Sequence, residues 1–213
     1  MRVSLRSLAP VLLLGLACFI VYNANLRQIG AGDTWPARYL PLILLRDGTL
    51  ELGANAHLVA RGHSLTPSWE RPADSEGKIT YFEPWAYWLV RTPQGQLASL
   101  YPVVTPLLVT PLYLPAVAWL NAHGWQQPQL DHVAEIMEKL AASLLAAAAT
   151  ILMYLVLRRD GSRWSIAFAL AFAFGTNTWM ISSQALWQHG VGELLIALAL
   201  LLALVPATPG RTA

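Results

Sequence analysis

Charge and cysteine are what this chain has least of. Only 12% of its 213 residues are Asp, Glu, Lys or Arg, against 55% apolar, a balance that excludes an ordinary soluble domain and places the chain in the membrane-embedded class. A single cysteine, Cys18, excludes any internal disulfide. Set in an apolar run, it reads as a small packing residue and does not report the redox state of its compartment. The chain has no basic stripe, no zinc-ligand spacing and no interleaving of basic with aromatic residues, so nothing in it suits nucleic acid. Its net charge of +2 says little about other partners. Internal repeats and low-complexity tracts are also lacking.

What it has instead is long apolar runs. Leu8 to Tyr22, Leu140 to Leu157, Trp164 to Ile181 and Val191 to Val205 each approach the length of about 20 residues that a helix needs to cross a bilayer. Phe19-Ile20-Val21-Tyr22 carries the first run past any small-residue cleavage site, so it reads as an uncleaved anchor rather than a secretory signal. A fifth run, Val103 to Leu120, contains Pro106, Pro111 and Pro115 and follows Pro102, so several backbone hydrogen bonds would be missing within one crossing. Short loops rich in Lys and Arg stay in the cytoplasm. Arg2, Arg6, the loop Arg158 to Arg163, and Arg211 all satisfy that rule if the proline-rich run lies along the outer interface. The reading is an all-α membrane protein forming one membrane domain with both ends cytoplasmic. It has a first transmembrane helix in 1–22, a large extracytoplasmic loop in 23–139, three transmembrane helices in 140–205 and a tail in 206–213.

Within the loop, Pro36 to Arg46 places Leu40, Ile43 and Leu44 at helical spacing opposite Arg38 and Asp47. This predicts a short interfacial helix stopped by Gly48. His57 to Gly77 is polar and aperiodic, which predicts irregular structure. Trp85 to Arg91 and Gln96 to Tyr101 flank Thr92-Pro93-Gln94-Gly95 and predict a small hairpin with a four-residue turn. Trp85, Tyr87 and Trp88 suit an interfacial aromatic belt. Asn121 to Asp131 reads as a polar connection, and His132 to Lys139 as the amphipathic start of the second crossing.

Asp33 is the first candidate for chemistry, in Gly30-Ala31-Gly32-Asp33-Thr34-Trp35-Pro36-Ala37-Arg38-Tyr39. A carboxylate just beyond the outer mouth of a membrane helix suits chemistry on a lipid-linked substrate, yet Asp is also a common cap for a helix beginning at Trp35 and Pro36. Arg38 and Arg46 have a competing reading as interface residues with extended stems. The second outer turn, Ser182 to Gly190, offers Gln184, Trp187, Gln188 and His189, with Glu193 one turn deeper. An ionisable residue inside a span is costly and invites a functional explanation. His189 and Glu193, four apart on one helical face, suit a mutual hydrogen bond. A satisfied interfacial histidine and an aromatic anchor explain His189 and Trp187 equally well. His57, His63, His123 and His132 are too dispersed for a metal site, so no structural metal is expected and a catalytic divalent ion has no support.

The Asp33 segment, followed by Leu44-Leu45-Arg46-Asp47-Gly48, resembles the first outer loop of the GT-C superfamily of polytopic membrane glycosyltransferases. Tyr101-Pro102 with Pro106-Leu107-Leu108 and Tyr113 is similar to the Pro-Pro-Leu-Tyr element of the protein-mannosyltransferase and lipid-A aminoarabinose-transferase branch, and Glu138-Lys139-Leu140 to Arg158-Arg159 to the next family helix. The resemblance implies transfer of a sugar from a polyprenyl-phosphate carrier to an extracytoplasmic acceptor in a bacterial inner membrane, with Asp33 as the general base. Arg38, Tyr39, Arg91, Tyr101, Gln184, Trp187, Gln188, His189 and Glu193 would contact substrate. The chain departs from the pattern at Leu100, where the aminoarabinose branch has a phosphate-contacting lysine, and in the second outer turn, where family members often carry another acid. The family usually has eight or more crossings while this chain supplies four. That makes it resemble an amino-terminal half, with little activity expected alone and a second polypeptide as a partner that would complete the fold. The alternative from another class is a non-enzymatic subunit or scaffold that binds a carrier lipid. A transporter is the weakest option, because the crossings hold few polar residues besides Glu193 and those around Asn177.

Overall fold

A computed structural model describes residues 5–25, 29–66 and 85–204. The chain forms two compact units, one of Met1–Ile29 with Lys139–Ala213 and one of Gly30–Glu138. The structure is mostly helical, and by length and composition two stretches, Val104–His123 and Gln127–Arg159, can cross a membrane. Shorter apolar helices occupy Ala9–Ala24, Ser165–Gly175 and Gln188–Ala203. The predicted tail 206–213 lies outside the described residues, as does 67–77 of the stretch expected to be irregular, whose start, His57 to Ala60, is helical instead.

The first unit holds α1 (Leu5–Ala24), the distal part of α6 (Gln127–Arg159), α7 (Ser165–Gly175) and α8 (Gln188–Ala203). Its apolar cluster joins Cys18 and Tyr22 to Ala146, Ala147 and Ala173, with Phe19 and Trp179 against it. Small residues on α6 and α7 let the larger α1 side chains approach closely, the usual solution where lipid offers no hydrophobic gain. The third apolar run is shorter as a helix than its length suggests. α7 stops at Gly175 and is followed by a π-helical turn, Thr178–Ser182. Hydroxyls cause the break: Thr176 Oγ1 donates to Phe172 O at 2.6 Å and accepts from Thr178 N at 3.2 Å, replacing helical backbone bonds.

The second unit is built on α2 (Trp35–Asp47), which follows a 3-10 turn at Gly32–Thr34. Pro36 in its first turn needs no N–H partner, and Gly48 ends it with φ +70° and an N–H bond to Leu44 O at 2.9 Å. The expected surface helix is instead a core element. Every residue from Pro36 to Ile43 is buried, Arg38 included, so this helix does not lie on a surface. It packs against α4 (Val104–Val109), the 3-10 turn Thr110–Tyr113 and α5 (Leu114–His123), which form one continuous rod. A five-residue α3 (Ala56–Ala60) and a hairpin of β1 (Leu89–Arg91) and β2 (Leu97–Ser99) complete the unit. The polar connection expected over Asn121–Asp131 shrinks to 124–126, since α5 runs to His123 and α6 begins at Gln127.

The hairpin differs from expectation by one residue. Leu89 pairs with Ser99 and Arg91 with Leu97. Thr92 N donates to Gln96 O at 2.7 Å and Gly95 N to Thr92 O at 2.8 Å, with Gly95 at φ +83°. A three-residue loop closed by a left-handed glycine therefore replaces the four-residue turn. A slip of one residue exchanges the faces of a strand. The observed register sets Tyr87 across from Tyr101, whereas the expected one would have set it across from Leu100.

Candidate functional site

Asp33 sits at the open end of that hairpin. Tyr87 and Tyr101, flanking the two strands, both donate their hydroxyls to Asp33 Oδ1, at 2.6 and 2.7 Å. Oδ2 has no hydrogen-bond partner among the described residues. The helix start carries no side-chain cap, so the carboxylate is held by phenols rather than spent on backbone N–H groups. The Asp33 hydrogen bond, burial and the carboxylate charge push the Tyr87 phenol up to about 12, and burial with the same bond raises Tyr101. Phenols that stay protonated remain donors throughout the neutral range.

Behind the carboxylate is an aromatic cluster. Trp88 is buried, donates Nε1 to Val59 O at 3.2 Å, and meets Trp35, His63 and Tyr87 edge-on at 4.4, 4.9 and 5.1 Å between ring centres. His63 Nδ1 lies 3.0 Å from Ala60 O. Only a protonated Nδ1 can make that contact, so the ring donates there. Tyr87 itself is 43% exposed, and its ring offers an open apolar face beside Asp33.

The other sequence candidates in this unit have different surroundings. Arg38 is 1% exposed; its Nε bonds Glu138 at 2.5 Å and its Nη1 bonds Glu135 at 3.3 Å. Tyr39 is fully buried and donates to Asp131. Both residues tie α2 to the start of α6, and neither is open to a ligand. Arg91 donates to Gly95 O at 2.9 Å at the turn end of the hairpin, the end opposite Tyr101 and Asp33.

Gln184, Trp187, Gln188, His189 and Glu193 belong to the other unit. Gln184 is buried: its Oε1 accepts from Lys139 Nζ at 2.5 Å and from Asn25 Nδ2 at 3.3 Å, while its Nε2 donates to Trp179 O at 3.0 Å. Glu193 accepts from Thr178 Oγ1 at 3.1 Å and Ser182 Oγ at 2.8 Å, and so pins the π-helical turn. Its bonds go to these hydroxyls and not to His189, which instead stacks on Trp187 at 6.3 Å. Gln188 is exposed at the start of α8.

Sequence reasoning missed Tyr87 as a partner of Asp33, along with Trp35 and His63. The hairpin register was the signal that could have found Tyr87. Among the described residues, no group of three or more His, Cys, Asp or Glu side chains is placed to hold a metal ion. No family model matches this sequence, and neither a curated protein nor a solved structure matches it.

Proposed function

We propose that this chain supplies the acceptor-activating site of a glycosyl transfer on the extracytoplasmic face of a bacterial inner membrane, with a polyprenyl-phosphate sugar as donor and Asp33 as general base. The reading draws on the resemblance of the Asp33 segment to the GT-C glycosyltransferases. One observation carries it: a carboxylate tied through Oδ1 by two phenols, with no hydrogen-bond partner for Oδ2 among the described residues. A base fixed by one oxygen takes a proton on the other without giving up the bonds that orient it.

In this step the acceptor hydroxyl loses its proton to Oδ2 as its oxygen bonds to the anomeric carbon. The bond from that carbon to the carrier phosphate breaks on the opposite face, and the phosphate leaves with the electron pair, so configuration inverts. The exposed Tyr87 ring gives a sugar or lipid acceptor an apolar face to lie on. Arg38 takes no part, because Glu135 and Glu138 already occupy its guanidinium. The four apolar sequence runs named above and the charge rule support four crossings with both ends cytoplasmic.

The test is Asp33→Asn in vesicles carrying the full chain and a panel of polyprenyl-phosphate sugars. Transfer should fall by about 10²–10⁴-fold, the usual worth of a general base, with helix content unchanged. The Tyr87 phenol should drop from about 12 toward its ordinary value of about 10. Undiminished transfer by the variant, measured with the membranes that supply any completing polypeptide, removes the reading. A scaffold that only binds the carrier would tolerate the change.

A further inference from the structure

The α4–α5 rod, Val104–His123, is long and apolar enough to span a bilayer, yet its surroundings argue for another placement. We propose that it lies in the plane of the membrane, with one face sunk in the acyl layer of a single leaflet. The inference concerns the Gly30–Glu138 unit alone and holds whether or not Asp33 is a base.

The rod has two unlike sides. Thr105, Pro106, Val109, Tyr113, Ala116 and Leu120 are buried on one. On the other, Val104, Leu107, Leu108, Leu112, Leu114 and Trp119 are each at least 37% exposed. Pro111, Pro115, Ala118 and Ala122 share that exposed side, which turns polar only at its carboxyl end, at Asn121 and His123. A largely apolar stripe of this length is not stable against water.

Orientation follows from what is fixed beside the rod. Tyr101, just ahead of it, bonds Asp33 at the amino end of α2 (2.7 Å); Trp125, just past it, lies under the Arg46 guanidinium at the carboxyl end of α2 (4.6 Å). α2 and the rod therefore run side by side in the same direction. If the rod stood upright, the chain between Asp47 and Tyr101 would have to recross the hydrocarbon. That segment carries Glu51, Arg61, Glu70, Arg71, Asp74, Glu76, Lys78, Glu83 and Arg91. Its described parts are a five-residue helix and a two-stranded hairpin, with Leu52 N bonded to Leu97 O at 2.9 Å. An open hairpin and polar loops cannot cross lipid, because their backbone groups and charges would go unsatisfied. Arg61, Asp131 and Glu135, with side chains 27%, 23% and 30% exposed beside α2, would be carried into hydrocarbon as well. Laid flat, the rod puts its apolar side in lipid and leaves the hairpin and these charges in water.

The experiment uses the full chain with Cys18→Ala and, one at a time, Leu107→Cys, Leu112→Cys and Trp119→Cys. Each variant carries a nitroxide and is placed in phosphatidylcholine and phosphatidylglycerol vesicles, where collisions with oxygen and with a nickel chelate report depth. All three labels should contact lipid at nearly equal depth, within about 5–10 Å of the headgroup boundary. Depths that differ by about 18 Å between positions 107 and 119, the helical rise over that interval, would overturn the proposal. So would labels shielded from both quenchers, as a second copy covering this face would make them, or labels open to water. Because each position is read in a separate chain, a variant that fails to fold leaves two that decide.

Discussion

Gly32 is the tightest point around Asp33. A Cβ there would stand 2.5 Å from Trp88 Cε3 and 2.9 Å from the Tyr87 hydroxyl oxygen. Trp88 is 2% exposed and hydrogen-bonded to Val59 O, so it has little room to yield. Gly32→Ala should therefore destabilise the chain by about 1–3 kcal/mol, the range for overpacking, and pull Tyr87 off the carboxylate. Denaturation in detergent and the Tyr87 titration check this; a variant unchanged in both would mean the cluster is loosely packed. At this scale Asp33 and Glu193 stood out in the sequence, because a carboxylate beside an apolar run is conspicuous, but the hydroxyl partners of Glu193 did not. Arg38 and Tyr39 were not. The sequence offers them as ligand contacts, while their actual partners, Glu138 and Asp131, lie 100 and 92 positions away.

At the scale of elements, α2 is held to α6 by charge. Arg38 and Glu138 have side chains 2% exposed each, with Glu135 and Arg61 extending the network. Removing one partner of a buried pair leaves the other uncompensated, which typically costs about 3–5 kcal/mol, whereas replacing both with apolar groups is often neutral. Arg38→Met should thus lower stability by about that amount, and Arg38→Met with Glu138→Met should recover most of it. Equal losses in the single and double variants, read from denaturation midpoints, would show that the ion pair is not what holds α2 in place. The start of α2 at Trp35–Pro36 and its stop at Gly48 were readable from local chemistry. Its burial was not, since only contact with α4, α5 and α6 makes it a core helix. The hairpin shows the same division: its existence was legible, but the loop closed by Gly95 moved its register by one residue and so brought Tyr87 to Tyr101.

For the molecule as a whole, the raised phenols link stability to alkaline pH. Tyr39, Tyr87 and Tyr101 are all shifted upward, by burial and by Asp131 or Asp33. A folded-state value above the unfolded one gives a contribution that is complete below about pH 10, where the unfolded phenol is still protonated. That contribution is lost as pH rises through about 12, where folded Tyr87 ionises. Denaturation midpoints in detergent should hold steady at neutral pH and fall across that window; a midpoint flat throughout it would count against the phenol–carboxylate bonds. Helical character, suitability for a membrane, the rough positions of the apolar helices and the prominence of Asp33 are all readable from local chemistry, because composition, periodicity and capping act over a few neighbouring residues. The burial of α2, the sharing of one Asp33 oxygen by two tyrosines, and the exposed, largely apolar side of the α4–α5 rod came from folding in three dimensions. Those outcomes depend on which faces of distant segments meet, and packing sets that meeting where no local pattern records it.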